Sequence, residues 1–228
     1  MTFPELPDRL ASVRERIAAA QARAGLAHPV TIVAVTKTFG PEAVQAAVAA
    51  GLDAVGENRV QEALPKQDAL PDLAVAWHLI GSLQQNKVRR VVGRFALIHS
   101  VDRLGLAQEI DRRAAEGTRQ PILVQVNCSA EPQKGGVEPV ELPALLDALQ
   151  EFPGVEVRGL MTMAELTDEA ERQRTAFGML RRLRDEGTAR GHPLPELSMG
   201  MSGDYEVAVE EGATMVRLGT ILFGGRQS

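Results

Sequence analysis

The residues able to do chemistry in this 228-residue chain gather at the ends of short apolar runs. Lys37 follows Thr31-Ile32-Val33-Ala34-Val35-Thr36. If that run is a strand, alternation gives Val33, Val35 and Lys37 the same facing. An amine at the rim of an apolar interior is favoured in its neutral, nucleophilic form, which suits attack on an aldehyde. A strand-end lysine equally often lays its stem on apolar surface and leaves its charge in water. Near the carboxyl terminus, Met199-Gly200-Met201-Ser202-Gly203-Asp204 leads into a helical pattern, and a last apolar run delivers Arg217-Leu218-Gly219-Thr220. Each is a glycine turn with a hydroxyl and free N–H groups, the donor set that holds a phosphate. An ordinary N-cap serine and a turn glycine would look the same. Lysine and turns together point to a phosphorylated aldehyde: pyridoxal 5′-phosphate, or a sugar phosphate in a Schiff-base aldolase.

Other constellations fail on spacing. Gly200-Met201-Ser202-Gly203-Asp204 ends in aspartate where a nucleophile elbow needs glycine. There is no Walker A run and no Gly-x-Gly-x-x-Gly after a strand. Of the four histidines only His78 and His99 fall on successive strands, and two histidines make a poor zinc site. Cys128 reads as a small buried residue rather than a reactive thiol. Net charge −5 and eight aromatic residues in the whole chain argue against a nucleic-acid surface.

Positioning these residues falls to a recurring unit of β-branched run, glycine or polar turn, and helical pattern. The runs expected as strands are Val30–Val35, Ala54–Val55, Ala74–His78, Phe95–His99, Ile122–Val126, Val155–Leu160, Leu197–Met199 and Met215–Arg217. Helices are expected from Pro41 and near 57–69, 84–92, 103–116, 139–150, 168–187 and 204–211, with a separate amphipathic helix over 6–24. Eight alternating units in about 200 residues predict a (β/α)8 TIM barrel rather than an open sheet. The expected organisation is a single domain over 1–228, with a helical extension at 1–27 and the barrel at 28–228. In such a barrel, chemistry sits at the carboxyl ends of the strands. That singles out Lys37, Glu57-Asn58, His78, His99-Ser100, Asn127-Cys128, Met161, Ser202, and Arg217 with Gly219-Thr220. Only four lysines occur (Lys37, Lys66, Lys87 and Lys134), so each is a position to inspect. One cysteine forbids an intrachain disulfide, no run is long and apolar enough for a membrane span, and the start lacks a secretory layout. A cytoplasmic protein is expected.

Five stretches resemble the pyridoxal phosphate homeostasis protein family: Ala34-Val35-Thr36-Lys37-Thr38; Gly56-Glu57-Asn58-Arg59-Val60-Gln61-Glu62; Trp77-His78-Leu79-Ile80-Gly81-Ser82-Leu83-Gln84-Gln85-Asn86-Lys87; Gly159-Leu160-Met161-Thr162-Met163; and Leu197 through Gly224. They run in order from about residue 30 to the end. The resemblance implies a fold-type III pyridoxal phosphate barrel, similar to the barrel half of alanine racemase. Lys37 falls on the family's Schiff-base lysine; Ser202, Gly219 and Thr220 fall on its phosphate site. Arg217 looks like the arginine that addresses the pyridine nitrogen, with a place nearer the phosphate as the alternative. Asn58 falls in a motif lining the mouth, and Lys134 matches a loop lysine, although Gln133 and Gly135 replace the serines usual beside it. With His78 from the strand-end reading, the expected cofactor-binding set is Lys37, Asn58, His78, Ser202, Arg217, Gly219 and Thr220. An arginine at the pyridine nitrogen weakens the cofactor as an electron sink. A racemase also needs an opposing base, which this chain, with Tyr205 as its one tyrosine, does not evidently supply. The resemblance therefore implies a non-catalytic, monomeric holder of the cofactor for vitamin B6 and amino-acid homeostasis, serving pyridoxal phosphate-dependent apoenzymes. A weakly active amino-acid racemase is the alternative.

Overall fold

The computed structural model describes residues 2–129, 135–165, 167 and 169–225. Eight strands close into one parallel barrel in sequence order: β1 Thr31–Val35, β2 Ala54–Glu57, β3 Ala76–Leu79, β4 Leu97–Val101, β5 Gln120–Gln125, β6 Val155–Met161, β7 Glu196–Ser198 and β8 Met215–Leu218. Closure is made by β8 against β1, with Val33 opposite Arg217 and Ala34 opposite Leu218. The expected barrel is thus the observed one. β2 and β7 are among the shortest strands, with 4 and 3 residues.

Alternation splits each strand between two cores. Val33, Ala54, Leu97, Leu123, Met161 and Met215 pack inside the barrel. Ile32, Ala34, Val55, Ile98, Val124 and Leu197 face outward under the helices. Those helices are α2 Pro41–Ala49, α3 Val60–Ala69, α4 Leu104–Arg113, α5 Leu142–Leu149, α6 Ala170–Ala189, α7 Tyr205–Glu210 and α8 Thr220–Phe223. Between β3 and β4 the expected helix is only a 3₁₀ turn, Gln85–Arg90, closed by bonds such as Lys87 N–H to Gln84 O at 2.9 Å. Of its six residues five are polar or basic and Val88 alone is buried, too little apolar surface to fix a longer helix.

Ahead of the barrel lies α1, Leu6–Ala24, which buries Leu6, Leu10, Val13, Ile17 and Ala20 along one stripe. Gly25 ends it in a left-handed conformation, φ 65°, a cap that favours glycine. The helix lies on α7, with Arg16 paired to Glu206 and Arg23 Nε to Glu210 Oε1 at 2.8 Å. Among the described residues no helix is long and apolar enough to cross a membrane.

Candidate functional site

The carboxyl end of the barrel brings together the turns after β1, β2, β7 and β8. Lys37 and Thr38 leave β1 in a four-residue turn, in which Phe39 N–H returns to Thr36 O at 3.2 Å. Thr38 takes φ 71°, a left-handed value that a β-branched residue rarely adopts. Because β1 and β8 are neighbours, this turn stands beside Gly219 and Thr220; a Cβ on Gly219 would meet Val35 Cβ at 3.4 Å.

Ser202 comes from the β7–α7 turn and its Oγ accepts the N–H groups of Gly219 at 3.4 Å and Ile221 at 3.3 Å. One hydroxyl and two main-chain donors therefore converge on one spot beside Lys37. That donor set matches the acceptor oxygens of a phosphate, and the site fits the group its sequence implied. Gly200 makes the turn possible: it takes φ 93°, and a Cβ there would lie 2.7 Å from Ala208 Cβ. Asn58, half-buried, follows β2 on the same rim.

Arg217 is the floor of the site. Its guanidinium is 4% exposed and donates to Ser198 Oγ at 2.6 Å and to the Thr162 carbonyl at 2.9 Å. Burial lowers its pKa to about 10, opposed by the charge of Asp204, so it stays a cation at neutral pH. These partners hold it inside the barrel.

Two expectations are corrected. Lys37 is exposed rather than desolvated, with no hydrogen-bond or ion-pair partner among the described residues, because the turn lifts it two residues above the last strand position. His78 does not join the mouth: β3 continues to Leu79, so His78 lies within the strand and points into the barrel. There its Nδ1 meets His99 Nε2 at 3.0 Å, and it lines a cavity of about 380 Å³ at the opposite end, with Thr31, Ala76 and Glu196. Lys134 lies outside the described residues. Cys128 is buried with its thiol pushed up to about 11 by desolvation, an inert form. No cluster of three metal-binding side chains occurs among the described residues.

The sequence did not reveal Ser198 and Thr162 as holders of Arg217, because nothing in strand alternation identifies an interior hydroxyl or a main-chain carbonyl as a partner. Nor did it reveal that Glu57 turns behind the sheet to meet Lys66 at 2.6 Å. The scarcity of lysine was the available signal.

A closed parallel barrel with a lysine after its first strand and a hydroxyl-and-amide cradle after its last two defines the class of fold-type III barrels built for a phosphorylated aldehyde. The comparisons agree with that class. Residues 9–227 match the family model for the alanine racemase N-terminal domain. The chain is 48% identical over 223 residues to the pyridoxal phosphate homeostasis protein of Aquifex aeolicus, covering 96% of this chain and 98% of that protein. The solved structure of PipY from Synechococcus elongatus with pyridoxal phosphate bound superposes with a TM-score of 0.85 at 41% identity, covering 96% of this chain and all of that one. Alanine racemase from Corynebacterium glutamicum shares the fold at 18% identity and a TM-score of 0.72, and 62% of its length is covered. The chain belongs to the pyridoxal phosphate homeostasis protein family, within the wider family of alanine racemase N-terminal domains.

Proposed function

We propose that this protein binds pyridoxal 5′-phosphate through Lys37 and holds it for delivery, as part of intracellular vitamin B6 and amino-acid homeostasis. The observation that carries this reading is the convergence of Ser202 Oγ with the Gly219 and Ile221 N–H groups beside the Lys37 turn. The cofactor would supply an aldehyde, and Lys37 is the residue whose amine would hold it covalently. Ser202, Gly219 and Thr220 hold the phosphate, and Asn58 walls the mouth. Arg217 would supply N–H donors to the ring nitrogen, which would keep that nitrogen unprotonated and weaken the cofactor as an electron sink.

The same geometry favours a carrier over an enzyme. Tyr205, the chain's one tyrosine, is 2% exposed and lies beneath the Arg16 guanidinium of α1, 5.4 Å from ring centre to Cζ. It is therefore turned away from the mouth, where a racemase would need its second base. An exposed Lys37 also suits a ligand that is exchanged with pyridoxal phosphate-dependent apoenzymes rather than sealed in. The unit of action in this reading is the whole chain, 1–228, as a cytoplasmic monomer.

Purified protein incubated with pyridoxal 5′-phosphate and reduced with borohydride should carry the cofactor's mass on Lys37, and Lys37→Ala should abolish the Schiff-base absorption band. Retention of that band in the variant would show that another amine carries the cofactor. For the racemase alternative, exchange of amino-acid α-protons in deuterated buffer is the test; the carrier reading expects no rate above that of free cofactor.

A further inference from the structure

We propose that Glu57 and Lys66 are positioning residues for Lys37, forming a buried clamp that fixes the turn on which the cofactor-binding amine stands. The inference rests on the reading of Lys37 as that amine. Thr36 Oγ1 donates to Glu57 Oε1 at 2.6 Å. Lys66 Nζ, arriving from α3, donates to the same oxygen at 2.6 Å and to the Thr36 carbonyl at 2.8 Å. That carbonyl is also the acceptor that closes the Lys37 turn, through Phe39 N–H at 3.2 Å. Lys37 is the second residue of the turn and Thr38 the third, with φ 71° at a position where type II turns favour glycine. A threonine persists there only if its surroundings over-determine the conformation. The clamp supplies that constraint from the helix side of the sheet, while Lys37 itself stands exposed in the turn.

The pair is hard to explain as a stabilising device. Glu57 is fully buried and Lys66 is 6% exposed. Taking both charges out of water costs about as much as their attraction returns, and an apolar pair would serve packing as well or better. Glu57 Oε2 is left without a hydrogen-bond partner among the described residues, a further cost. What the ion pair provides, and a leucine pair would not, is one donor fixed on the carbonyl and one acceptor fixed on the hydroxyl of the residue before Lys37.

The test separates covalent attachment from binding. Pyridoxine 5′-phosphate carries an alcohol in place of the aldehyde, so it occupies the phosphate and ring contacts without engaging Lys37. Wild type, Glu57→Gln, and the double variant Glu57→Gln/Lys66→Met, which leaves no unpaired buried charge, are compared in two assays. One follows the rate at which pyridoxal 5′-phosphate becomes borohydride-trapped on Lys37; the other measures pyridoxine 5′-phosphate affinity by calorimetry. The expected result is trapping slowed about 10-fold or more in both variants, since displacements near 1 Å are costly in reactive geometry, with pyridoxine 5′-phosphate affinity within about twofold of wild type. Unchanged trapping, or equal loss in both assays, overturns the proposal and makes the pair a structural element. Absence of any Lys37 adduct in the wild type would instead overturn the functional reading, and the proposal with it.

Discussion

His78 and His99 face each other inside the barrel, Nδ1 to Nε2 at 3.0 Å, and extend a buried chain that begins at Arg217. Arg217 only donates, so the Ser198 hydroxyl accepts from it and turns its own hydrogen to His99 Nδ1 at 2.9 Å. His99 then carries its proton on Nε2, directed at His78 Nδ1. This order requires both rings to be neutral.

Acidification should therefore unfold the protein through these rings. Burial lowers the pKa of His78 to about 4, and burial together with the charges of His78 and Arg217 holds that of His99 well below 6.5. A histidine with a depressed folded-state pKa stabilises the fold fully above its unfolded value and progressively less below it. His78 alone should lose about 3 kcal/mol as pH falls from 6.5 to 4. His99 acts in the same direction. Urea unfolding at intervals between pH 8 and pH 4.5 should give a flat stability above pH 7 and a steady fall below 6.5. A flat profile down to pH 5 would mean that the two rings are not held neutral.

The barrel, the order of its strands and the turns that carry Lys37, Ser202 and Gly219 were legible because each rests on local pattern: β-branched runs, glycine turns and helical spacing. The sequence could not show what depends on side chains meeting across the fold. His78 and Lys66 illustrate both directions of that failure. The strand-end rule put His78 at the mouth, but one further strand residue, Leu79, sinks it into the interior. Lys66 sits mid-helix, where a lysine is ordinarily solvated, and only the nearness of Glu57 makes it a buried residue. Lys37 shows a third limit: alternation along β1 could not show the turn that exposes it.

Gly200 should be irreplaceable where Gly203, three residues on in the same turn, is not. Gly200 takes φ 93°, and an added Cβ would approach Ala208 Cβ to 2.7 Å and Tyr205 Cα to 2.9 Å. Its carbonyl also receives Arg217 N–H at 2.9 Å, so any shift there displaces the floor of the site. Around Gly203 an added Cβ meets nothing within 4 Å. Left-handed strain together with overpacking should make Gly200→Ala cost about 2–4 kcal/mol, against roughly 0.5 or less for Gly203→Ala. Chemical denaturation of both variants checks this, and similar costs at the two positions would refute it.

Phe3 links the amino terminus to both halves of the cofactor site. Its ring lies 5.4 Å from Phe39, two residues after Lys37, and 5.2 Å from Phe223, at the end of the helix that starts from Thr220. Phe39 and Phe223 are themselves 5.5 Å apart, so three rings from three segments close into one cluster. The two edge-on pairs made by Phe3 are worth about 0.5–1.5 kcal/mol each beyond area burial, and Phe3→Ala should lower global stability by about 1–3 kcal/mol. The more telling effect is local. Residues 37–40 and 219–223 lose a shared brace, so their amides should exchange with solvent distinctly faster in the variant, while those of β5 and β6, on the far side of the barrel, change only by the global amount. Hydrogen-exchange mass spectrometry resolves these segments. Acceleration confined to residues 2–6 would show that the ring merely seats its own chain end. Matched acceleration of the two turns would establish that the amino terminus sets how firmly lysine turn and phosphate cradle are held against each other.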